Sequence, residues 1–498
     1  MNSPASGEYQ TAIRLALGSL GCGNEDDVIA RVESLLSAHP GEADGWQALG
    51  LLYRAAERTV EALSAFERAV ALAPQDGRIA NGLAQVRLEG GLDAVAAFET
   101  ALQLAPEAQT VQGLAAARVA IGDWTGAITL LDTTLAANPL WGEGHWLLSR
   151  LRWMSGEGGD HLAALNRELR AQPRDPALWQ IRVAIEQRTL AFAPLLKTIA
   201  EARAWIGDKG FLASAEAAAL SELGRIAEAE SLFVRLAQPG DVTEAVYRLR
   251  HALRCHRVEQ AARLAEQALG GGQDHHYWPY LALAWRCLDD PRWEWLEGQC
   301  ELVGTYDIGS AVASLPKLAE TLRRIHAVSA EPLEQSVRGG SQTDGPLFAR
   351  LEPEIADLRR AIAAAVTQHL DRLPPPDVRH PQLGLRRDRA VRFAGAWSVR
   401  LTGGGHHVGH IHPEGWFSSA CYIALPTSAA MGDPPAGHLV LGVPDKALGL
   451  DLPPIRVIAP KQGALVLFPS TMWHSVEPFA AGERLSVAFD VCRPAQSA

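Results

Sequence analysis

Two periods of hydrophobicity divide the chain. From about residue 9 to about residue 300, apolar residues recur every three to four positions in segments rich in Ala, Leu, Glu and Arg. That is the pattern of helices with one buried face. From about residue 380 the period falls to two. AWSVRL (396–401), SACYIAL (419–425), GHLVLGV (437–443), GALVLFP (463–469) and RLSVAFDV (484–491) are short β-type runs separated by Gly- and Pro-rich turns. Several short strands spaced by turns predict a barrel or sandwich. Between the two regimes, residues 316–329 and 353–372 predict amphipathic helices. Pro353 fits a first helical position, and Pro374–Pro376 stop the second helix. The polar, aperiodic stretch EQSVRGGSQTDGPLF (334–348) reads either as a surface loop or as a segment folding over a site, with Arg338, Gln342 and Thr343 as candidate contacts. Residues 1–8, small and polar, are expected to lack order. The predicted organisation is a helical region over 1–300, a helical connector with a Gly-rich loop over 301–380, and a β domain over 381–498.

The helical region contains a repeat. Trp46, Leu49, Gly50 and Tyr53 are followed by Ala62, Phe66, Ala69 and Pro74. This series resembles the tetratricopeptide (TPR) consensus at all eight positions. Large residues fill the groove between two antiparallel helices, small ones let them approach, and the proline ends the second. Pro74, Pro106, Pro139 and Pro173 follow at intervals of 32, 33 and 34 residues, and FETALQLAP (98–106) echoes FERAVALAP (66–74). LDTTLAANP (131–139), LNRELRAQP (165–173), LSELGRIAEAESLFVRLAQPG (220–240) and HRVEQAARLAEQALGG (256–271) are looser copies. Six to eight hairpins stacked as a solenoid are expected up to about residue 300. Such arrays present surfaces for a peptide or partner protein, or serve as spacers and dimerisation modules. The aromatic segments HHYWPY (275–280) and PRWEWLEG (291–298) read as a binding patch or, more simply, as core at the end of the solenoid.

Composition narrows the class. The 498 residues are 47% hydrophobic and 21% charged, an ordinary globular balance, with a net charge of −11. An acidic chain has no general field for nucleic acid or anionic lipid. No apolar run reaches the roughly 18 residues of a membrane span, and the first residues lack the pattern of a secretory signal. A cytoplasmic protein is expected. The six cysteines (Cys22, Cys255, Cys287, Cys300, Cys421, Cys492) are scattered without a C-x-x-C, which argues against a disulfide framework or a cysteine-zinc site.

Candidate chemistry gathers in GGGHHVGHIHPEGW (403–416), which holds His406, His407, His410 and His412. On a strand, His410 and His412 would face the same side. His474, in FPSTMWHSVEP, is a third candidate, and Arg484 follows ten residues later. Imidazole suits iron, zinc, copper and nickel. A closed structural zinc site would normally include cysteine, so three histidines with open positions point to a catalytic metal. An arginine beside it can hold a dicarboxylate by a bidentate pair. His406 and His407 are expected to be supporting or surface residues, and His438 an ordinary strand histidine.

The domain resembles an Fe(II)/2-oxoglutarate-dependent dioxygenase, and the whole chain resembles a bacterial group in which TPR repeats are fused to prolyl- and aspartyl-hydroxylase-like catalytic domains. The matching residues are AWSVRL, H-x-H-P-x-G-W (410–416), SSACYIALP (418–426), G-x-L-x-x-G-x-P (437–444), P-x-x-G-x-L-x-L-F-P-S (460–470), His474 and R-x-S-x-A-F-D (484–490). WEWLEG and PLEQSVRGGSQT also look like that group. The resemblance implies a double-stranded β-helix (jelly roll), hence a multidomain α+β chain with an all-α solenoid first. It implies Fe(II), 2-oxoglutarate as cosubstrate and O2, with hydroxylation of a substrate C–H bond and release of succinate and CO2. His410, His412 and His474 would be the metal ligands, and Arg484 with Ser486 would bind the 2-oxoglutarate C5 carboxylate. Tyr422 would hydrogen-bond the cosubstrate or serve as core. A protein or peptide side chain, recruited by the TPR array, is the expected substrate. One departure stands out: the usual triad is His-x-Asp…His, and His412 occupies the place of the acid. Either His412 is a ligand or it sits beside a two-histidine site. A cupin-type metalloenzyme is an alternative, since Gly404 and Gly463 fall at cupin-like spacings, but it leaves Arg484 without a role. A non-catalytic TPR scaffold with a relic barrel is the third reading.

Overall fold

A computed structural model of the chain describes residues 4–20, 25–156, 159–236, 241–326, 333 and 336–494. Cys22, and parts of the segments expected at 220–240, 316–329 and 334–348, lie outside the described residues. Among those described, eight helical hairpins run from Pro4 to Ala268, and a last helix spans Trp278–Cys287. The repeat residues do what their sizes require. In the hairpin Ala43–Ala55 and Thr59–Leu72, Ala62, Phe66 and Ala69 are fully buried. A Cβ on Gly50 would sit 2.7 Å from the Phe66 ring, so the helices close only over glycine. Pro74, Pro106, Pro139 and Pro173 each lie two residues beyond a helix end. A ring nitrogen six residues after the proline binds its carbonyl at Pro139 (His145, 2.9 Å) and Pro173 (Trp179, 2.8 Å), locking each repeat to the next. The N-terminus corrects an expectation: a helix already begins at Pro4, a residue suited to a first helical turn.

The C-terminal region is one curled antiparallel sheet of nine strands: β1 (Gly304–Asp307), β2 (Val337–Gln342), β3 (Phe393–His410), β4 (Gly415–Ala424), β5 (Leu439–Leu441), β6 (Arg456–Ile458), β7 (Ala464–Pro469), β8 (His474–Val476) and β9 (Glu483–Cys492). Their order is β1-β7-β4-β9-β3-β8-β5-β6, with β2 on β3, a jelly-roll-like arrangement. Strand β3 bridges its two halves. It pairs with β9 over Phe393–Thr402, passes an irregularity, and pairs with β8 over His407–His410. Within the stretch 334–348, expected as a surface loop or a segment folding over a site, Val337–Gln342 form strand β2. Gly339, at φ +70°, and Gly340, whose Cβ would lie 2.4 Å from the Arg400 carbonyl, let a polar segment zip onto β3 past a bulge. The connector therefore contributes β1 and β2 to the sheet. Its helices Leu315–His326 and Pro353–Arg372 share one core with the sheet residues Phe417, Leu467 and Phe489.

The solenoid grips this unit at both ends. Near its start, Glu57 accepts from the Phe393 amide (2.7 Å) and pairs with Arg359 (3.0 Å), while Arg392 pairs with Asp26 (3.0 Å). Near its end, Trp473 packs edge-on to Tyr280 and donates to the Pro279 carbonyl, Arg254 donates to the Ala447 carbonyl (2.7 Å), and Arg286 reaches the Gly442 and Pro453 carbonyls. Tyr277 and Tyr280 are buried here and the half-buried Trp278, Trp293 and Trp295 pack against the same core, so the aromatic segments are core rather than an open patch. His275 and His276 turn their Nε2 atoms to Glu414, at 3.3 and 3.1 Å. No described helix is long and apolar enough to cross a membrane. Cys255, Cys287, Cys300, Cys421 and Cys492 are free thiols.

Candidate functional site

Strand register assembles the site. His410, the last residue of β3, is the direct partner of His474, the first of β8. His412 lies just beyond β3 rather than on it, in a turn closed by bonds from its amide to the Ser470 carbonyl (2.9 Å) and from the Gly415 amide to its own carbonyl (3.1 Å). The turn brings the three rings together even though they do not share one strand: ring centroids lie 4.1 Å (His410–His474), 5.0 Å (His410–His412) and 5.2 Å (His412–His474) apart. One nitrogen from each falls within 4.8 Å of the others.

The proton on each ring follows from its partner. His410 Nδ1 faces the Val408 carbonyl (2.8 Å), His474 Nδ1 the Met472 carbonyl (3.0 Å), and His412 Nδ1 both oxygens of Asp490 (2.8 Å each). Carbonyl and carboxylate oxygens accept, so each Nδ1 carries a hydrogen, and the neutral His410 and His474 present a lone pair at Nε2. The Ser336 hydroxyl lies 3.1 Å from His410 Nε2 and 3.0 Å from His407 Nδ1. Burial, reinforced by neighbouring imidazoles, pushes His410 down to about 3 and holds His407 and His474 well below the usual range. These rings are neutral, the form in which imidazole ligates a metal.

The other end of the cavity is built on β9. Side chains alternate along a strand, so Arg484, Ser486 and Ala488 face inward together. Arg484 is fully buried over the Tyr422 ring, its Cζ 5.2 Å from the centroid. Arg484 Nε and Tyr422 Oη are buried without a hydrogen-bond partner among the described residues. Burial lowers the Arg484 guanidinium and raises the Tyr422 hydroxyl.

His410, His412, His474, Arg484 and Ser486 thus line one cavity of about 60 Å³, with Tyr422 behind Arg484. Gln342 lines it as well. Thr343 instead pins β2, its hydroxyl accepting from the Ser398 amide (3.0 Å), and Arg338 is exposed on β2 outside the cavity. His406 and His438 stay outside, each bonded to a backbone carbonyl two residues back. His407, expected as a supporting or surface residue, lines the cavity, as do Ser336 and Trp397. Asp490 also went unnoticed. The period of two on β9 would have found it, because Asp490 continues the face of Arg484, Ser486 and Ala488.

Comparison with known proteins agrees with this geometry. Residues 395–490 match the family described as "Putative 2OG-Fe(II) oxygenase", and residues 43–86 match the tetratricopeptide repeat family. The chain thus joins TPR-type repeats to a domain that matches the "Putative 2OG-Fe(II) oxygenase" family over residues 395–490. Among solved structures, it is similar to a Pseudomonas putida prolyl-4-hydroxylase (19% identity, 41% of this chain and 96% of that one, TM-score 0.28). It is also similar to a Thermobaculum terrenum O-GlcNAc transferase mutant (20% identity, 28% of this chain, TM-score 0.26), of which it spans only 27%. PilW, a type IV pilus biogenesis factor, is a third (18% identity, 41% and 94% coverage, TM-score 0.30). No curated protein matches. Overlaps this loose carry no functional argument.

Proposed function

We propose that the C-terminal unit is an Fe(II)- and 2-oxoglutarate-dependent dioxygenase that hydroxylates a C–H bond of a protein or peptide side chain brought by the helical array. One observation carries the reading. Three imidazoles line one cavity with every Nδ1 tied from behind, and beside them lies a buried guanidinium that meets no anion among the described residues. Metal-ligating histidines usually donate their other N–H to a carbonyl or carboxylate. A buried cation without a counter-ion is costly unless an anion joins it. The donor set therefore fits a metal at one end and a carboxylate at the other.

In this assignment His410, His412 and His474 hold Fe(II) through Nε2. Arg484, with Ser486 and Tyr422, holds the C5 carboxylate of 2-oxoglutarate. When bound, the metal, cosubstrate and O2 supply the oxidising power for an unactivated C–H bond, and succinate and CO2 leave. The protein positions and excludes water. Val399, Leu439, Phe468 and Val476 make dry walls, which strengthens the pairing of Arg484 with an anion. The Ser336 hydroxyl holds the lone pair of His410 until a metal takes it. A cupin-type enzyme would leave the guanidinium unused. Recruitment by the repeats rests on the general use of such arrays for partner binding. A cytoplasmic setting fits the acidic chain with its free thiols. The functional division is an array to about residue 300 and a catalytic unit from Gly304 onward.

The test is the full chain supplied with Fe(II), 2-oxoglutarate and O2. Slow succinate release without added substrate is expected, with calorimetric 2-oxoglutarate binding in the presence of metal. Absence of both would overturn the assignment.

A further inference from the structure

The three-histidine set leaves a question of charge. An H-x-D motif places a carboxylate on the metal, whereas three imidazoles bring none. The contacts behind His412 answer it. Both oxygens of Asp490 lie 2.8 Å from His412 Nδ1. The carboxylate is itself fixed. Ser418 Oγ donates to Asp490 Oδ1 at 2.6 Å and lies 2.9 Å from Ser470 Oγ, and the Ser470 carbonyl accepts the His412 amide. The chain segments approach closely where these groups meet. A Cβ on Gly415 would stand 2.5 Å from Ser470 Oγ and 3.1 Å from the Asp490 Cβ, so only glycine lets the turn close onto β9. His410 and His474 receive no such treatment, as their Nδ1 atoms rest on neutral backbone carbonyls. The one histidine standing where the acid is expected is the one backed by an acid.

We propose that Asp490 is a positioning residue which supplies, through the imidazole of His412, the negative charge that an aspartate at position 412 would place directly on the metal. The carboxylate orients the ring, holds its hydrogen on Nδ1 and makes Nε2 a stronger donor to a metal. The inference rests on the metal-site reading above and adds the role of a residue outside the ligand set.

A double-mutant cycle on the full-length protein tests it, with Co(II) affinity measured by calorimetry and by the visible absorption of the bound ion. Asp490→Asn keeps the size and an acceptor for His412 but removes the charge. In the wild-type background it is expected to weaken Co(II) binding about 10- to 100-fold, with the thermal midpoint of the metal-free protein unchanged. His412→Asp brings the carboxylate to the metal directly. In that background Asp490→Asn should leave affinity unchanged or tighten it, because two facing carboxylates repel. The same fold-loss in both backgrounds would mark Asp490 as merely structural and overturn the inference. So would an affinity within twofold of wild type for Asp490→Asn alone. Should Asp490→Asn fail to fold, Co(II)-loaded wild type still decides. Three paramagnetically shifted, solvent-exchangeable imidazole N–H resonances are expected, one per Nδ1, and only two would overturn it. Wild type that binds no Co(II) would instead sink the metal site itself, and the inference with it.

Discussion

Two histidine clusters in this chain look alike as inventories and differ as chemistry. In the solenoid, Glu230, His251 and Cys255 bring potential ligand atoms as close together as do His410, His412 and His474 in the sheet. Yet His251 is used on both sides, Nδ1 by Ser221 (2.9 Å) and Nε2 by Glu230 (2.9 Å), and Glu230 is also held by Arg257 (2.8 Å). Every charge has its counter-charge, and the network is closed. In the sheet cluster each Nδ1 is tied, and the rings share a cavity with a buried guanidinium that has no counter-ion among the described residues. The difference teaches that proximity of ligand-type residues says little. What separates a packing network from a binding site is which atoms remain unsatisfied, and whether they converge.

The largest effect should come from breaking the open cluster. His474→Ala is expected to abolish measurable Co(II) or Fe(II) binding by calorimetry, a loss beyond the roughly 100-fold typical of supporting residues. Retention of tight metal binding would make the two clusters equivalent. Next comes the anion end. Arg484→Ala should cost 2-oxoglutarate binding about 2–5 kcal/mol, some 30-fold or more in affinity, while metal affinity without cosubstrate stays within a few-fold. A variant that still bound 2-oxoglutarate like wild type would remove the clamp from the site.

A third case sharpens the contrast, because its charge has neither solution. Glu297 is buried where the solenoid meets the sheet, and burial pushes its carboxyl up to about 7 against the pull of Arg286. Unfolded, it titrates near its ordinary 4.5. Between those values the native chain holds a proton that the unfolded chain releases, so stability falls as pH rises through this window. Glu297→Gln mimics the protonated form. It should raise stability over wild type by about 3 kcal/mol at pH 8 and by little below pH 4.5, read as the difference in thermal midpoint across pH. A pH-independent difference would show that the carboxyl is not the source.

The solenoid was legible because its repeat is dense. Gly50, Phe66 and the spaced prolines each meet a steric demand that few other residues satisfy. Four of the residues that line the candidate cavity were legible for a similar reason, since His410, His474, Arg484 and Ser486 occupy motif positions. What escaped was carried by register and by glycine. Strand β2 has no alternating apolar pattern, because it is held by backbone pairing and by the absence of side chains at Gly339 and Gly340. Ser336 and His407 reach the cavity through that pairing, which joins residues about seventy positions apart. His412 was expected on a strand, yet it reaches the cluster from a turn whose closure depends on Gly415. Asp490 was hidden as one more residue at the end of a β run, and its role appears only when β9 is laid against that turn.

The smallest effect belongs to the closed cluster. His251→Gln keeps one polar contact and leaves either Ser221 or Glu230 short of a partner. Arg254 still donates to Ser221 (2.6 Å) and Arg257 to Glu230, so neither is orphaned. The cost should be about 1–2 kcal/mol of stability, near that of one lost hydrogen bond in a network with remaining partners. Metal and 2-oxoglutarate affinities should match wild type within about twofold, the additivity expected of distant sites. Thermal denaturation and calorimetry on the same preparation read both quantities. If the variant instead weakened metal binding as His474→Ala does, the distinction between closed and open clusters would fail, since satisfied hydrogen bonding would no longer separate packing from function.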